Sequence, residues 1–128
     1  MSFLKKHWVT ILLVLLIIWA CLMKVPDITP RIKMTDLDKL VHFLMFSILG
    51  GCVYFENTAY FRKAISCQQI VWGSFLFPIV FSGLIEILQE YLTPYRTGDW
   101  MDFLWDVIGA FFTLAVCLTI NRKISAKN

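Results

Sequence analysis

The chain has 128 residues, a formal net charge of +3, and 59% hydrophobic residues against only 16% charged residues. Its mean hydropathy of +0.70 is too high for an ordinary soluble domain and indicates an integral membrane protein. Nucleic-acid binding is not expected, because basic residues that flank the apolar blocks account for the small positive charge.

Four blocks of apolar residues follow one another along the chain. Each approaches the roughly 20-residue length of a helix that crosses the hydrocarbon core of a bilayer. In the second block, Gly50 and Gly51 interrupt the apolar run toward its end. The predicted fold is an all-α membrane protein, a single domain over residues 1–128 with four transmembrane helices in a compact bundle. The predicted spans cover residues 8–23, 40–55, 70–92 and 103–120.

The segments between the blocks predict the topology. Pro94 and Gly98 lie in a short turn between the third and fourth blocks, so these two helices are expected to be antiparallel neighbours. Basic residues are more frequent on the side that carries both termini, which predicts that both termini are cytoplasmic. The residues on that side are Lys5, Lys6, Arg62, Lys63, Arg122, Lys123 and Lys127.

Polar residues are expected to converge at the other end of the bundle. With four crossings, the loop before the second span and the turn before the fourth span open on the same membrane face. Polar residues at that face are spaced three or four apart within each helix, so they share one side of it. We expect a polar pocket at the outer leaflet, with these candidate ligand-binding residues: Asp38, Lys39, His42, Glu86, Gln89, Arg96, Asp99, Asp102 and Asp106.

Two of these acids lie inside apolar stretches. Burying an ionisable group in a bilayer costs a few kcal/mol or more unless the group is paired or hydrated, so Glu86 and Asp106 are functional-site candidates. Structural roles stay open as alternatives. Asp38 could cap the second helix, His42 could form a hydrogen bond between helices, and Glu86 could form an ion pair with Arg96.

Three motifs resemble the VanZ-like family of small bacterial membrane proteins. They are Asp38-Lys39-Leu40-Val41-His42-Phe43 with Phe46 and Gly50, Glu86-Ile87-Leu88-Gln89, and Arg96-Thr97-Gly98-Asp99-Trp100-Met101-Asp102 with Gly109. The family usually carries an asparagine four residues after the second aspartate, where this chain has Asp106, which keeps an acceptor but lacks two donors. The resemblance implies an association with teicoplanin-type glycopeptide resistance and a place in the bacterial cytoplasmic membrane.

The favoured function is recognition of a lipid head group. The pocket would bind the head of an envelope lipid or a lipid-linked cell-wall precursor, with Arg96 and Lys39 at its charged rim. Glycines on the predicted helices would permit close helix contacts within one chain or in a homo-oligomer.

Two other functions stay open, and the sequence does not decide whether any reaction is catalysed. In a proton-coupled carrier, intramembrane acids and His42 would relay protons. In a membrane enzyme acting on a lipid phosphate or acyl group, carboxylates would hold Mg²⁺ or Mn²⁺. The candidate metal ligands are Glu86, Asp99, Asp102 and Asp106, and the candidate catalytic residues are His42, Glu86 and Asp102.

Overall fold

The architecture is helical, as predicted. The computed structural model describes residues 2–23, 34–92 and 100–127, with the side chains of these residues except 34–38, and contains no strand there. The helices are α1 (Phe3–Lys6), α2 (Trp8–Leu22), α3 (Met34–Phe61), α4 (Cys67–Ile70), α5 (Phe77–Leu92) and α6 (Trp100–Lys127). A π-helical segment, Val71–Leu76, joins α4 to α5 without a break.

Three stretches of the described chain are long and apolar enough to cross a membrane: Lys39–Phe61, Cys67–Leu92 and Trp100–Lys127. The protein is therefore a membrane protein with several apolar helices. Helix α2 is apolar but has 15 residues, which gives a length of about 22 Å against a hydrocarbon core of about 30 Å. The fourth crossing and the cytoplasmic position of the termini stay predictions.

The helix that contains the second predicted span is longer than the sequence predicts. Helix α3 runs through Gly50 and Gly51, as the predicted span does, and continues past residue 55 to end at Phe61. Gly50 allows a close helix contact, because a Cβ atom there would lie 2.5 Å from the Ser74 carbonyl oxygen. The helix can continue past residue 55 because the N-terminal turn of α2 binds the carboxylate of Glu56.

A proline explains the π-helical segment. Pro78 has no N–H, so it cannot donate to the Ser74 carbonyl oxygen four residues earlier. The preceding turn is wider than an α-helical turn, and the Phe77 N–H donates to the carbonyl oxygen of Trp72. The Ser74 carbonyl oxygen faces Gly50 of α3. The wide turn and the glycine together allow the π-helical segment to pack closely against α3.

Helices α3 and α6 make the most extensive helix pair in the bundle. At Gly109, a Cβ atom would lie 2.6 Å from the Phe43 carbonyl oxygen. The Ser47 hydroxyl donates to the Gly109 carbonyl oxygen at 3.1 Å, and the Thr113 hydroxyl donates to the Ser47 carbonyl oxygen at 2.9 Å. Small residues and interhelical hydrogen bonds of this kind drive packing within membranes. The contact places the start of α3 beside the start of α6.

The bundle has two ends with different polar groups. We call the end where α3 and α6 begin and α5 ends the site end. At the opposite end, the buried Asn121 side chain accepts from the Ile65 N–H at 3.0 Å and donates to the Ile65 carbonyl oxygen at 2.8 Å. These bonds fasten the connection between α3 and α4 to α6. Between the ends, an apolar core packs α2, α3 and α5 together through Ile17, Cys21, Phe46, Leu49 and Ile85.

Candidate functional site

A buried histidine lies at the centre of the site end. The His42 side chain is on α3, one turn after Lys39, and only 1% of the residue is exposed. Its Nδ1 atom lies 3.0 Å from Oδ1 and 3.3 Å from Oδ2 of Asp106 on α6. Asp106 is equally buried, at 1% exposure. Nδ1 of the imidazole is therefore within hydrogen-bond distance of a buried carboxyl group on the neighbouring helix.

Two further polar groups complete this contact. Nε2 of His42 lies 3.7 Å from Oδ2 of Asp102, one turn earlier on α6. The hydroxyl of Ser82 on α5 donates to Oδ2 of Asp106. The described hydroxyl contact is with the carboxyl group of Asp106, which ties α5 to α6 at the level of His42.

Glu86 joins the cluster from α5. Ligand atoms of His42, Glu86 and Asp106 all lie within 4.8 Å of one another. Glu86 and Asp106 each lie about 9 Å along their helices from the end at this face, at about 1.5 Å of rise per residue. Three helices thus bring their polar side chains to one chamber, in agreement with the convergence that the helical spacing predicts.

The described part of the cluster is rich in carboxyl groups. Glu86, Asp102 and Asp106 each bring a carboxyl group close to the His42 imidazole. In a medium of low dielectric constant, like charges at this separation do not all ionise unless cations or shared protons compensate them. Carboxyl groups this close together are suited to sharing a proton or holding a cation.

The remaining predicted residues have different positions. Gln89 is buried, and its Nε2 atom donates to the Cys21 carbonyl oxygen at 2.8 Å, so it ties α5 to the end of α2. Lys39 is half-buried one turn before His42, at the same end of the bundle. Three predicted residues lie outside the described chain or have undescribed side chains: Asp38, Arg96 and Asp99.

A cleft of about 490 Å³ opens beside the buried cluster, between α5 and α6. We call it the α5–α6 cleft; its lining residues are Gly83, Glu86, Ile87, Glu90, Tyr91, Trp100 and Phe103. Tyr91 and Trp100 are 82% and 83% exposed. Glu86 belongs both to this lining and to the group around His42. The cleft therefore connects the surface of the bundle with its buried polar centre.

Sequence reasoning missed Ser82, although its spacing carries a signal. It lies four residues before Glu86, so it shares the helix face that also carries Gln89. A single hydroxyl in an apolar helix is common, however, and only the position of Asp106 gives this one a role.

A second polar cluster, at the opposite end, was not predicted. The Glu56 carboxylate accepts from the Val9 N–H at 2.9 Å, the Thr10 N–H at 3.2 Å and the Thr10 hydroxyl at 2.6 Å. His7 Nδ1 lies 3.1 Å from the same carboxylate. A carboxylate at a helix N-terminus satisfies free N–H groups and favours the helix dipole. Glu56 thus anchors α2 to α3, and the available signal was a single acid directly after the second apolar block.

Comparison with known proteins agrees with the motifs. A family model described as VanZ/LLP1 matches residues 3–121, which include every element of the site. The uncharacterized protein C11E3.10 of Schizosaccharomyces pombe is 34% identical over 120 residues, which make up 93% of this chain and 67% of that protein. No solved structure matches the chain. The protein belongs to the VanZ/LLP1 family.

Proposed function

We propose that the protein binds the head group of a membrane lipid in the α5–α6 cleft. One observation carries the proposal: a cleft on the membrane-embedded bundle leads to a carboxylate, Glu86, that is shared with the buried cluster around His42. Binding sites for small molecules are typically concave and mostly apolar, with a few polar groups that fix orientation. The α5–α6 cleft has this character.

The surroundings of the cleft favour a lipid over a soluble ligand. Ile87 lines the cleft and is 55% exposed, and Leu84, one turn earlier, is 54% exposed. In a bilayer these side chains contact acyl chains. Trp100 and Tyr91 lie near helix ends, where their amphipathic rings favour the head-group region. A lipid could therefore leave its chains in the bilayer while its head enters the cleft.

The rim supplies cationic groups for a phosphate. Lys39 lies at the site end, and Arg96 belongs to the turn between α5 and α6 in the sequence. We propose that these two residues bind the lipid phosphate, with Asp38 and Asp99 beside them at the rim. Gln89, Asp102 and Asp106 orient the groups that line the chamber. In this proposal the site opens at the outer leaflet of the bacterial cytoplasmic membrane, and both termini are cytoplasmic.

Native mass spectrometry of the purified protein tests the proposal. Delipidated protein is titrated with dioleoyl phosphatidylglycerol and dioleoyl phosphatidylethanolamine, each separately. We expect one lipid per chain to remain bound at activation energies that remove the other lipids, and Trp100→Ala to lower its affinity several-fold. Trp72→Ala is the matched control, because Trp72 is 65% exposed and lies at the opposite end of the bundle.

Two results would count against lipid recognition. Equal loss of lipid from the wild type and both tryptophan variants would mean that the retained lipid is not in the cleft. Binding of every lipid that increases with concentration and does not saturate would indicate a nonspecific shell of lipid around the bundle. Thermal unfolding of both variants shows whether the fold is intact.

A metal-assisted reaction on the same lipids is the second candidate. The mutual distances of His42, Glu86 and Asp106, within 4.8 Å, favour it, because nitrogen and carboxylate ligands suit Mn²⁺ or Zn²⁺. Asp102, at the other imidazole nitrogen, would orient the histidine. We expect retained Mn²⁺, measured by mass spectrometry, to fall in His42→Gln and not in His7→Gln. Equal metal content in the two variants would remove this candidate.

The family link to glycopeptide resistance gives a cellular test. We propose that any protection against teicoplanin depends on the α5–α6 cleft, so expression of the wild type should raise the inhibitory concentration more than Glu86→Gln. Trp72→Ala, at equal membrane abundance, should behave as the wild type. If Glu86→Gln protects as well as the wild type, resistance does not depend on the cleft.

A further inference from the structure

The chemical class of the head group follows from the side chains that line the α5–α6 cleft. Both charged residues in its described lining are glutamates, Glu86 and Glu90, which lie four apart on the same face of α5. The aromatic residues Tyr91, Trp100 and Phe103 line the same space. The described lining therefore combines negative charge with the electron-rich faces of aromatic rings.

This combination is complementary to a positively charged nitrogen. Carboxylates accept charge-assisted hydrogen bonds from an ammonium group, and aromatic faces attract a cation within about 6 Å of the ring centroid. Trp100 and Phe103 meet edge to face, with ring centroids 6.1 Å apart, so they form two walls at an angle. An anionic head without a cationic group would gain no such contact.

The buried cluster strengthens the same preference. Behind Glu86 lie the carboxyl groups of Asp106 and Asp102 and the imidazole of His42. A cation that enters the cleft therefore approaches further negative groups along its path. Each carboxylate has two oxygens and about four acceptor directions, so Glu86 and Glu90 can accept from a ligand while they keep contacts within the protein.

We infer that the α5–α6 cleft selects lipids whose head group carries a protonated amine, as in an aminophospholipid, and binds that ammonium between Glu86, Glu90 and the face of Trp100. This inference rests on the proposed recognition of a lipid head group. The ammonium donates hydrogen bonds to the two carboxylates while the ring covers its outer side. The phosphate of the same zwitterionic head remains nearer the rim, where Lys39 lies at the same end of the bundle.

The test compares a lipid that carries a free amine with its N-acetylated derivative and with a lipid that has no amine. Wild-type protein in detergent is titrated, by native mass spectrometry, with dioleoyl phosphatidylethanolamine, its N-acetylated derivative and dioleoyl phosphatidylglycerol. We expect the free amine to bind about tenfold or more tightly than the N-acetylated form, because acetylation removes the charge and two donors. In Glu86→Gln or Glu90→Gln, the preference for the amine over its N-acetylated form should fall several-fold.

The outcomes separate this inference from the proposal on which it depends. Saturable binding of phosphatidylglycerol at the Trp100-dependent site with equal or higher affinity than the amine would overturn the amine preference and leave lipid recognition standing. Binding of neither lipid would overturn both. An amine preference that persists in both glutamate variants would also overturn the inference, because these carboxylates would then not bind the ammonium group. Trp72→Ala again serves as the control for surface aromatic rings.

Discussion

The two histidines of the chain allow a controlled test of the buried site. His42 and His7 each lie beside a carboxylate, at 3.0 Å from Asp106 and 3.1 Å from Glu56. His42→Leu leaves Asp106, 1% exposed, without its imidazole donor, and breaking a buried ion pair costs about 3–5 kcal/mol. His7→Leu should cost about 1 kcal/mol, because Glu56 keeps three donors from the start of α2.

The assay is reversible unfolding in bicelles, with the free energy of unfolding measured by steric trapping for each variant. The double variant His42→Leu with Asp106→Leu should lose less stability than the sum of its single variants, since the carboxyl group of residue 106 is then not left buried without the imidazole. Single costs that simply add, or a His7→Leu cost at least as large as that of His42→Leu, would refute the reasoning that the pair is buried and mutually dependent.

Three other substitutions, with Gly51→Ala as a control, test the packing that positions the site. Gly109→Ala should destabilise by about 1–3 kcal/mol in the same assay, because its Cβ meets a backbone carbonyl oxygen at 2.6 Å, whereas Gly51→Ala, with no atom within 4 Å, should change little. Glu56→Leu should release the start of α2 and raise the maleimide labelling rate of Cys21, now 1% exposed, several-fold in a protein that keeps only that cysteine. Asn121→Leu should cost about 2–3 kcal/mol, because the connection between α3 and α4 loses two buried partners, and limited proteolysis should then cut that connection.

The convergence of polar groups was predictable because it depends on topology and helical spacing alone. Residues three or four apart share a helix face, and antiparallel neighbours bring the end of one helix to the start of the next. These two rules place His42, Glu86, Asp102 and Asp106 at one end, and the structure agrees. They need no information on side-chain contacts.

The hydrogen-bond partner of each side chain was not predictable from helical spacing. Gln89 lies on the correct face but donates to the Cys21 carbonyl oxygen of α2, which depends on how deeply that short helix packs. Ser82 binds Asp106 because the close Gly109 contact sets the rotation of α6. Contacts of this kind depend on tertiary packing, which no local pattern encodes.

The observed helix boundaries differ from the predicted ones for a related reason. Gly50 and Gly51 resemble an interruption when they are read locally, yet Gly50 is the point where α3 meets the Ser74 carbonyl oxygen. Glu56 resembles the end of a membrane segment, yet it lies inside α3 because α2 supplies its hydrogen-bond donors. In both cases the neighbouring helix provides what the local sequence lacks.

The most direct test of the lipid-binding site is to locate the bound head group. Phosphatidylethanolamine with a photoreactive diazirine near its phosphate is bound to the purified protein, irradiated, and its attachment sites are mapped by peptide mass spectrometry. The account predicts labelling concentrated on the stretch from Gly83 to Tyr91 and on Trp100 and Phe103, and reduced by excess unlabelled lipid. Labelling spread evenly around the bundle, or concentrated near Trp72 at the opposite end, would contradict it.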